Sequence, residues 1–133
     1  MTHSFVCRVY YEDTDLAGIV YYANYLKFIE RARSEWVRDL GLDQARMKAE
    51  EGVVFAVRRV EADYLAPARF DDLLQVTTEV LTVTPARIVL AQSVLREGDL
   101  LFAAKVTLVA LGADGRPMRL PAGLRRQGPL GPA

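Results

Sequence analysis

An α+β fold, with one long amphipathic helix laid across one face of an antiparallel sheet of about five strands, is predicted by three observations on the sequence. Between Tyr22 and Leu40, apolar residues recur at helical spacing. From Val53 to Leu111 the pattern changes to strand-like alternation. The breaks between the later alternating runs, at Thr84-Pro85 and Glu97-Gly98-Asp99, are short turn-formers of the kind that join antiparallel neighbours.

In order, Phe5 to Tyr11 reads as a first strand, in which Phe5, Cys7 and Val9 alternate with Val6, Arg8 and Tyr10. The helix follows from about Tyr21 or Tyr22, with Tyr25, Leu26, Phe28, Ile29, Ala32, Trp36, Val37 and Leu40 on its apolar stripe and Gly41 at its end. A short helix from Asp43 to Glu51 stops at Gly52. In the next strand, Val53 to Leu65, the phase flips between Val57 and Val60, which predicts a bulge near Arg58-Arg59. Pro67 and Arg69-Phe70-Asp71-Asp72 break that strand. Leu73 to Val83, Arg87 to Arg96 and Leu100 to Leu111 are further strands, Asp114-Gly115 is a turn, and Arg116 to Leu120 is a candidate last strand. The 133 residues fit one domain, expected over 1–120, with a flexible Gly- and Pro-rich tail at 121–133.

Composition removes several functions. Seventeen basic residues balance seventeen acidic ones, leaving no overall field to attract nucleic acid. No apolar run approaches the roughly 20 residues of a membrane span, and the start lacks a basic segment followed by an apolar one, so a cytoplasmic location is expected. Cys7 is the one cysteine and His3 the one histidine, which rules out an internal disulfide, a Cys/His metal cage and a Ser-His-Asp triad. Cys7 reads as a small core residue and His3 as surface. Acid–base chemistry must rest on carboxylates or tyrosines, and neither a metal nor a cofactor is expected.

The acidic loop that runs into the long helix, Glu12-Asp13-Thr14-Asp15-Leu16-Ala17-Gly18, is where such chemistry would sit. No Ser, Thr, Asp or Asn stands immediately ahead of Tyr21-Tyr22 as an N-cap, so helix-start N–H groups stay available to a ligand's oxygen. A calcium loop fails, because Ala17 and Asn24 occupy ligand positions. A nucleotide-sugar metal site would need a Gly-rich phosphate loop that the chain lacks. Taken alone, an acidic pair in a loop is most often solvated turn chemistry. The remaining functional reading is acyl chemistry, with Asp15 as nucleophile or general base and the helix-start N–H groups meeting the developing oxyanion. Asp13 reads as a turn residue bonding the loop's own backbone.

Asp13 to Tyr25, followed by Glu30-Arg31-Ala32-Arg33 and later Tyr64 to Leu74, resembles the hot-dog-fold acyl-CoA thioesterases of the 4-hydroxybenzoyl-CoA thioesterase family, with the Tol-Pal-associated branch nearest. The likeness spans about Phe5 to Leu120. It implies a sheet wrapped around the long helix, assembly into homodimers or homotetramers, and hydrolysis of an acyl-CoA thioester to a carboxylic acid and free coenzyme A. By position Asp15 matches the catalytic carboxylate, Gly18 the loop glycine, and Tyr22 the residue whose backbone N–H faces the thioester carbonyl. The Tol-Pal branch usually carries His where this chain has Tyr22, and the 4-hydroxybenzoyl-CoA branch carries Tyr. Val20, Tyr25, Phe55 and Val57 join Gly18 as candidate substrate contacts, although core packing is the better prior for Tyr25, Phe55 and Val57. Arg58, Arg59 and Arg87 are candidates for the coenzyme's phosphates, with ion pairing as the plainer alternative. The rival to an enzyme is a non-catalytic module that binds acyl-CoA or an acyl-carrier protein.

Overall fold

The computed structural model describes residues 2–128. Strands β1 (His3–Arg8), β2 (Val54–Tyr64), β3 (Leu73–Val83), β4 (Arg87–Arg96) and β5 (Asp99–Leu111) form one antiparallel sheet in the order β1-β3-β4-β5-β2. A two-residue β6 (Pro117–Met118) adds to β5. The helices are α1 (Asn24–Asp39), α2 (Gln44–Glu51) and α3 (Ala122–Arg125).

Alternation decides what each strand buries. Along β4, Ile88, Leu90, Gln92 and Val94 turn to the core, and along β5 Phe102, Ala104, Val106, Leu108 and Ala110 do the same. Helix α1 lays Tyr25, Phe28, Ile29, Ala32, Trp36 and Val37 onto that surface, packing across β1, β3 and β4. One polar tie crosses the core. Gln92 is fully buried, and its Nε2 donates to the α1 carbonyl of Ile29 and to Thr78 Oγ1, both at 2.9 Å, while Oε1 accepts from Arg33 at 3.0 Å. All of its polar atoms are thereby engaged, and the helix is fixed against β3 and β4 in one register.

Local signals set the ends. Helix α1 closes in a Schellman arrangement, with Gly41 N–H on Arg38 O and Leu42 N–H on Val37 O, and Gly41 adopts φ +86. Asp43 caps α2 by accepting from Arg46 N–H at 3.0 Å. Glu97 (φ 50) and Gly98 (φ 85) make the two-residue β4–β5 turn, in which both residues take positive φ. The register of β2 on β5 shifts between Val57 and Arg59, where the phase flip puts the bulge. Burial pushes the Cys7 thiol up to about 11, only partly opposed by Arg31, so the cysteine is an inert packing residue.

Five expectations are corrected. Strand β1 ends at Arg8, because the chain turns into a 3-10 segment, Tyr11–Asp13, in which the Asp13 carboxylate accepts from Tyr10 N–H at 2.8 Å. Helix α1 begins at Asn24 and not at Tyr21 or Tyr22, because Asn24 N–H closes a turn on Tyr21 O. At 16 residues it is about 24 Å long, and Leu26, expected on its buried stripe, is 41% exposed. His3 is not plain surface: its Nε2 lies 2.7 Å from the Asp39 carboxylate, tying β1 to the end of α1. The chain from 121 to 128 is not a loose tail, since α3 buries Leu124 completely and Gly123 packs on Leu42. Residues 129–133 of the expected tail lie outside the described residues.

Candidate active site

Asp15 stands at the base of a miniature hairpin. Thr14 bridges Val20, Asp15 N–H donates to Ile19 O at 2.9 Å, and Gly18 N–H donates to Asp15 O at 3.0 Å. Gly18 closes the turn at φ +78, and a Cβ there would touch nothing within 4 Å, so backbone conformation alone asks for glycine. The Asp15 carboxylate is exposed. Its Oδ1 accepts from Ala17 N–H at 2.9 Å, and Oδ2 has no partner among the described residues.

This hairpin is fastened to the chain after β2. Ile19 bridges Arg69, and Val20 N–H donates to Ala68 O at 2.8 Å. Ala68 N–H in turn donates to the buried Tyr25 hydroxyl at 3.0 Å, while the Tyr25 ring stacks on Phe102 at 4.9 Å. Burial raises the Tyr25 phenol above its ordinary range, which keeps it neutral as a structural acceptor.

Asp13 anchors the other side. It is 6% exposed, and its carbonyl accepts from both Tyr21 N–H and the Asn24 side-chain amide, each at 2.9 Å. With Tyr21 O taken by Asn24 N–H and Tyr22 O taken by the Tyr64 hydroxyl at 2.9 Å, Tyr22-Ala23 is held as a turn ahead of α1. Among the described residues, the N–H groups of Tyr22 and Ala23 have no acceptor. Ala23, the N-cap residue, offers no capping side chain.

These pieces enclose one cavity of about 400 Å³, lined by Asp15, Ile19, Val20, Tyr21, Tyr22 and Tyr25, and on the far wall by Tyr64 to Pro67. Aromatic rings and aliphatic side chains make most of its surface, and Asp15 is the one carboxylate on it. The Tyr21 phenol is held above the ordinary tyrosine range, first by the adjoining Tyr22 hydroxyl and, among lesser causes, by the Asp15 charge.

A sequence profile of the thioesterase superfamily matches residues 17–103. The acyl-CoA thioesterase YbgC of Haemophilus influenzae is 46% identical over 111 residues, covering 82% of this chain and 82% of its own. This chain belongs to the thioesterase superfamily. The acyl-CoA thioester hydrolase YbgC of Escherichia coli is 43% identical over 105 residues, 78% of each chain. Among solved structures, a probable thioesterase from Bartonella henselae superposes with a TM-score of 0.88 at 39% identity, covering 91% of this chain and 100% of that one. A 4-hydroxybenzoyl-CoA thioesterase superposes at 0.89 and 24% identity over 96% and 99% of the two chains, sharing the hot-dog fold. The protein is a thioester hydrolase of that fold, as its sequence motifs implied.

In this thioesterase Asp15, Val20, Tyr22 and Tyr25 meet around one cavity, and Gly18 shapes the turn that presents Asp15. Phe55 and Val57 line a different groove of about 250 Å³ with Glu30, Arg33 and Val37 of α1, so a single chain does not bring them to Asp15. Arg58 and Arg87 are exposed, and Arg59 pairs with Glu61 at 2.5 Å. Sequence reasoning assigned no role to Asn24 or Tyr64, whose side chains hold the carbonyls of Asp13 and Tyr22 respectively. Only the turn-forming amide of Asn24 offered a local signal.

The cavity's far wall has its own brace. Asp72 accepts from Arg69 N–H at 2.8 Å and from Arg96 at 2.7 Å, and Arg96 also donates to Pro67 O at 3.3 Å. Burial pushes the Asp72 carboxyl up, but the Arg69 N–H and Arg96 outweigh it and leave it below the usual carboxylate range. A carboxyl depressed in the folded state stabilises it above the unfolded pKa and loses that stabilisation as pH falls through the folded value. Asp72→Asn is therefore expected to lower stability at pH 7 by about 1 kcal/mol or less, given the exposure of the pair. Urea melts at neutral pH and at successively lower pH check it: the gap from wild type should close below the ordinary carboxylate range, and a gap constant with pH contradicts the assignment.

Proposed function

We propose that this thioesterase hydrolyses acyl-CoA thioesters to a carboxylic acid and free coenzyme A at the Asp15 cavity. The observation that carries the proposal is one apolar cavity with an underbonded carboxylate and, from Tyr22 on its wall, a backbone N–H without an acceptor. Asp15 lies two residues ahead of the stretch matched by the superfamily profile, so its role rests on this geometry and on the motif around it. The YbgC proteins named as acyl-CoA thioesterases support the substrate class.

The thioester carbonyl oxygen accepts from Tyr22 N–H, which stabilises the negative charge as the carbonyl carbon becomes tetrahedral. Asp15 either attacks that carbon or removes a proton from a water that does. The carbon–sulfur bond breaks and the thiolate leaves and is protonated. Where water attacked, the acid forms directly; where Asp15 attacked, water then hydrolyses the mixed anhydride, which frees the acid and restores the carboxylate.

The test is release of free thiol from short, branched, long and aromatic acyl-CoAs, followed with a disulfide reagent. Turnover of at least one class supports an enzyme. Tight binding of acyl-CoA without thiol release would favour the non-catalytic module.

A homo-oligomer belongs to the same proposal. Strand β2, eleven residues long, is an edge of the sheet and leaves Val54, Val57, Val60 and Tyr64 exposed. An edge of that length with apolar side chains is a ready surface for strand pairing with a second copy. Light scattering at micromolar concentration should give at least twice the 14.8 kDa chain mass. A monomer mass would contradict it.

A further inference from the structure

We propose that Tyr64 is a positioning residue for thioester hydrolysis, its phenol holding the Tyr22 carbonyl so that the backbone N–H at the helix start stays aimed into the cavity. The inference rests on the proposed chemistry at Asp15 and names a residue outside it. Tyr64 closes β2, 42 residues after Tyr22, and its hydroxyl donates to Tyr22 O at 2.9 Å. The ring is set independently of that bond, edge-on to Phe102 at 5.0 Å and to Tyr25 at 5.5 Å. The hydroxyl therefore comes from a rigid aromatic stack and can act as a fixed peg.

The helix shows why a peg is needed. Tyr22 O would ordinarily accept from Leu26 N–H, four residues on, but Leu26 N–H donates instead to Ala23 O at 3.2 Å. Among the described residues, Tyr64 is the only donor to Tyr22 O. Without it, Leu26 N–H is available to capture that carbonyl and the Tyr22-Ala23 peptide rotates. Because that peptide lies inside the Tyr21–Asn24 turn, its rotation loosens the Asn24 N–H bond to Tyr21 O, which fixes the peptide that carries Tyr22 N–H. On the other side of Tyr22, Asn24 N–H holds Tyr21 O at 2.8 Å. Tyr22 is thus pinned through both flanking peptides, and only the Tyr64 pin can be removed without touching the backbone.

Tyr64→Phe keeps the ring stack and deletes the peg. The expected result is a fall in kcat of about tenfold with KM changed by less than about twofold, because misaiming an oxyanion donor acts on the transition state. Two inert ligands separate this from a packing effect: an acyl-CoA analogue with methylene in place of sulfur, and a trifluoromethyl ketone analogue that presents an oxyanion. Tyr64→Phe should weaken the trifluoromethyl ketone about tenfold and leave the methylene ketone unchanged. Equal kcat in Tyr64→Phe and wild type overturns the assignment, as does equal weakening of both ligands, which would mark Tyr64 as a pocket wall. If wild type itself releases no thiol from any acyl-CoA, the proposed substrate class falls first and this inference with it.

Discussion

Asp15→Asn is expected to lower kcat by about 10²- to 10⁴-fold, the range supplied by a positioned proton-accepting group, with acyl-CoA affinity retained. The substitution preserves shape, and the amide oxygen can still accept from Ala17 N–H, so the Thr14–Val20 hairpin has no reason to open. What disappears is the negative charge and the basic Oδ2. Stopped thiol-release assays with titration of an inert acyl-CoA analogue separate the two effects. Wild-type turnover in the Asn variant would remove Asp15 from the chemistry.

The second large effect is expected at Tyr22, where backbone and side chain can be told apart. Tyr22 N–H bonds nothing among the described residues, so Tyr22→Pro sacrifices no internal hydrogen bond. Proline's φ near −65° suits a residue entering a helix, although it also restricts Tyr21 to extended conformations. Removal of one oxyanion donor costs about 2.7 to 4 kcal/mol of transition-state stabilisation, roughly a hundred- to a thousand-fold in rate. Tyr22→Phe should retain most activity, and Tyr22→Ala sets the cost of losing the ring, which packs against Tyr21 and Tyr64. A Pro variant with native circular dichroism and far lower kcat than the Ala variant is the expected outcome. Equal rates in the two would show that this amide is not the donor.

The strands were legible because alternation and turn chemistry agree there. The bounds of β3 and β4 coincide with those read from the sequence, and the bulge at Arg58 follows from a phase flip that no straight strand could absorb. The site's residue types were legible for a different reason: an acid, a glycine and an uncapped helix start stand in one short stretch. What the sequence concealed is set by contacts between distant residues. Tyr21-Tyr22-Ala23 could all belong to the helix by spacing, yet the Asp13 carbonyl and the Tyr64 hydroxyl hold that segment as a turn. Helix α3 is four residues long, too short for periodicity to register, and is fixed by burial of Leu124. Phe55 and Val57 share the strand parity of core residues, and parity alone does not say which cavity a side chain lines.

In the proposed mechanism the thioester carbonyl sits between Tyr22 N–H and Asp15. The most direct measurement is a crystal structure of the protein with the acyl-CoA analogue in which methylene replaces sulfur, since its carbonyl is retained and cannot be cleaved. The carbonyl oxygen should lie about 2.7–3.1 Å from the Tyr22 nitrogen. The Asp15 carboxylate should face the carbonyl carbon, directly or through one water. A carbonyl bound in the groove of Phe55 and Val57, out of reach of the same chain's Asp15 and of any partner's, would contradict the account.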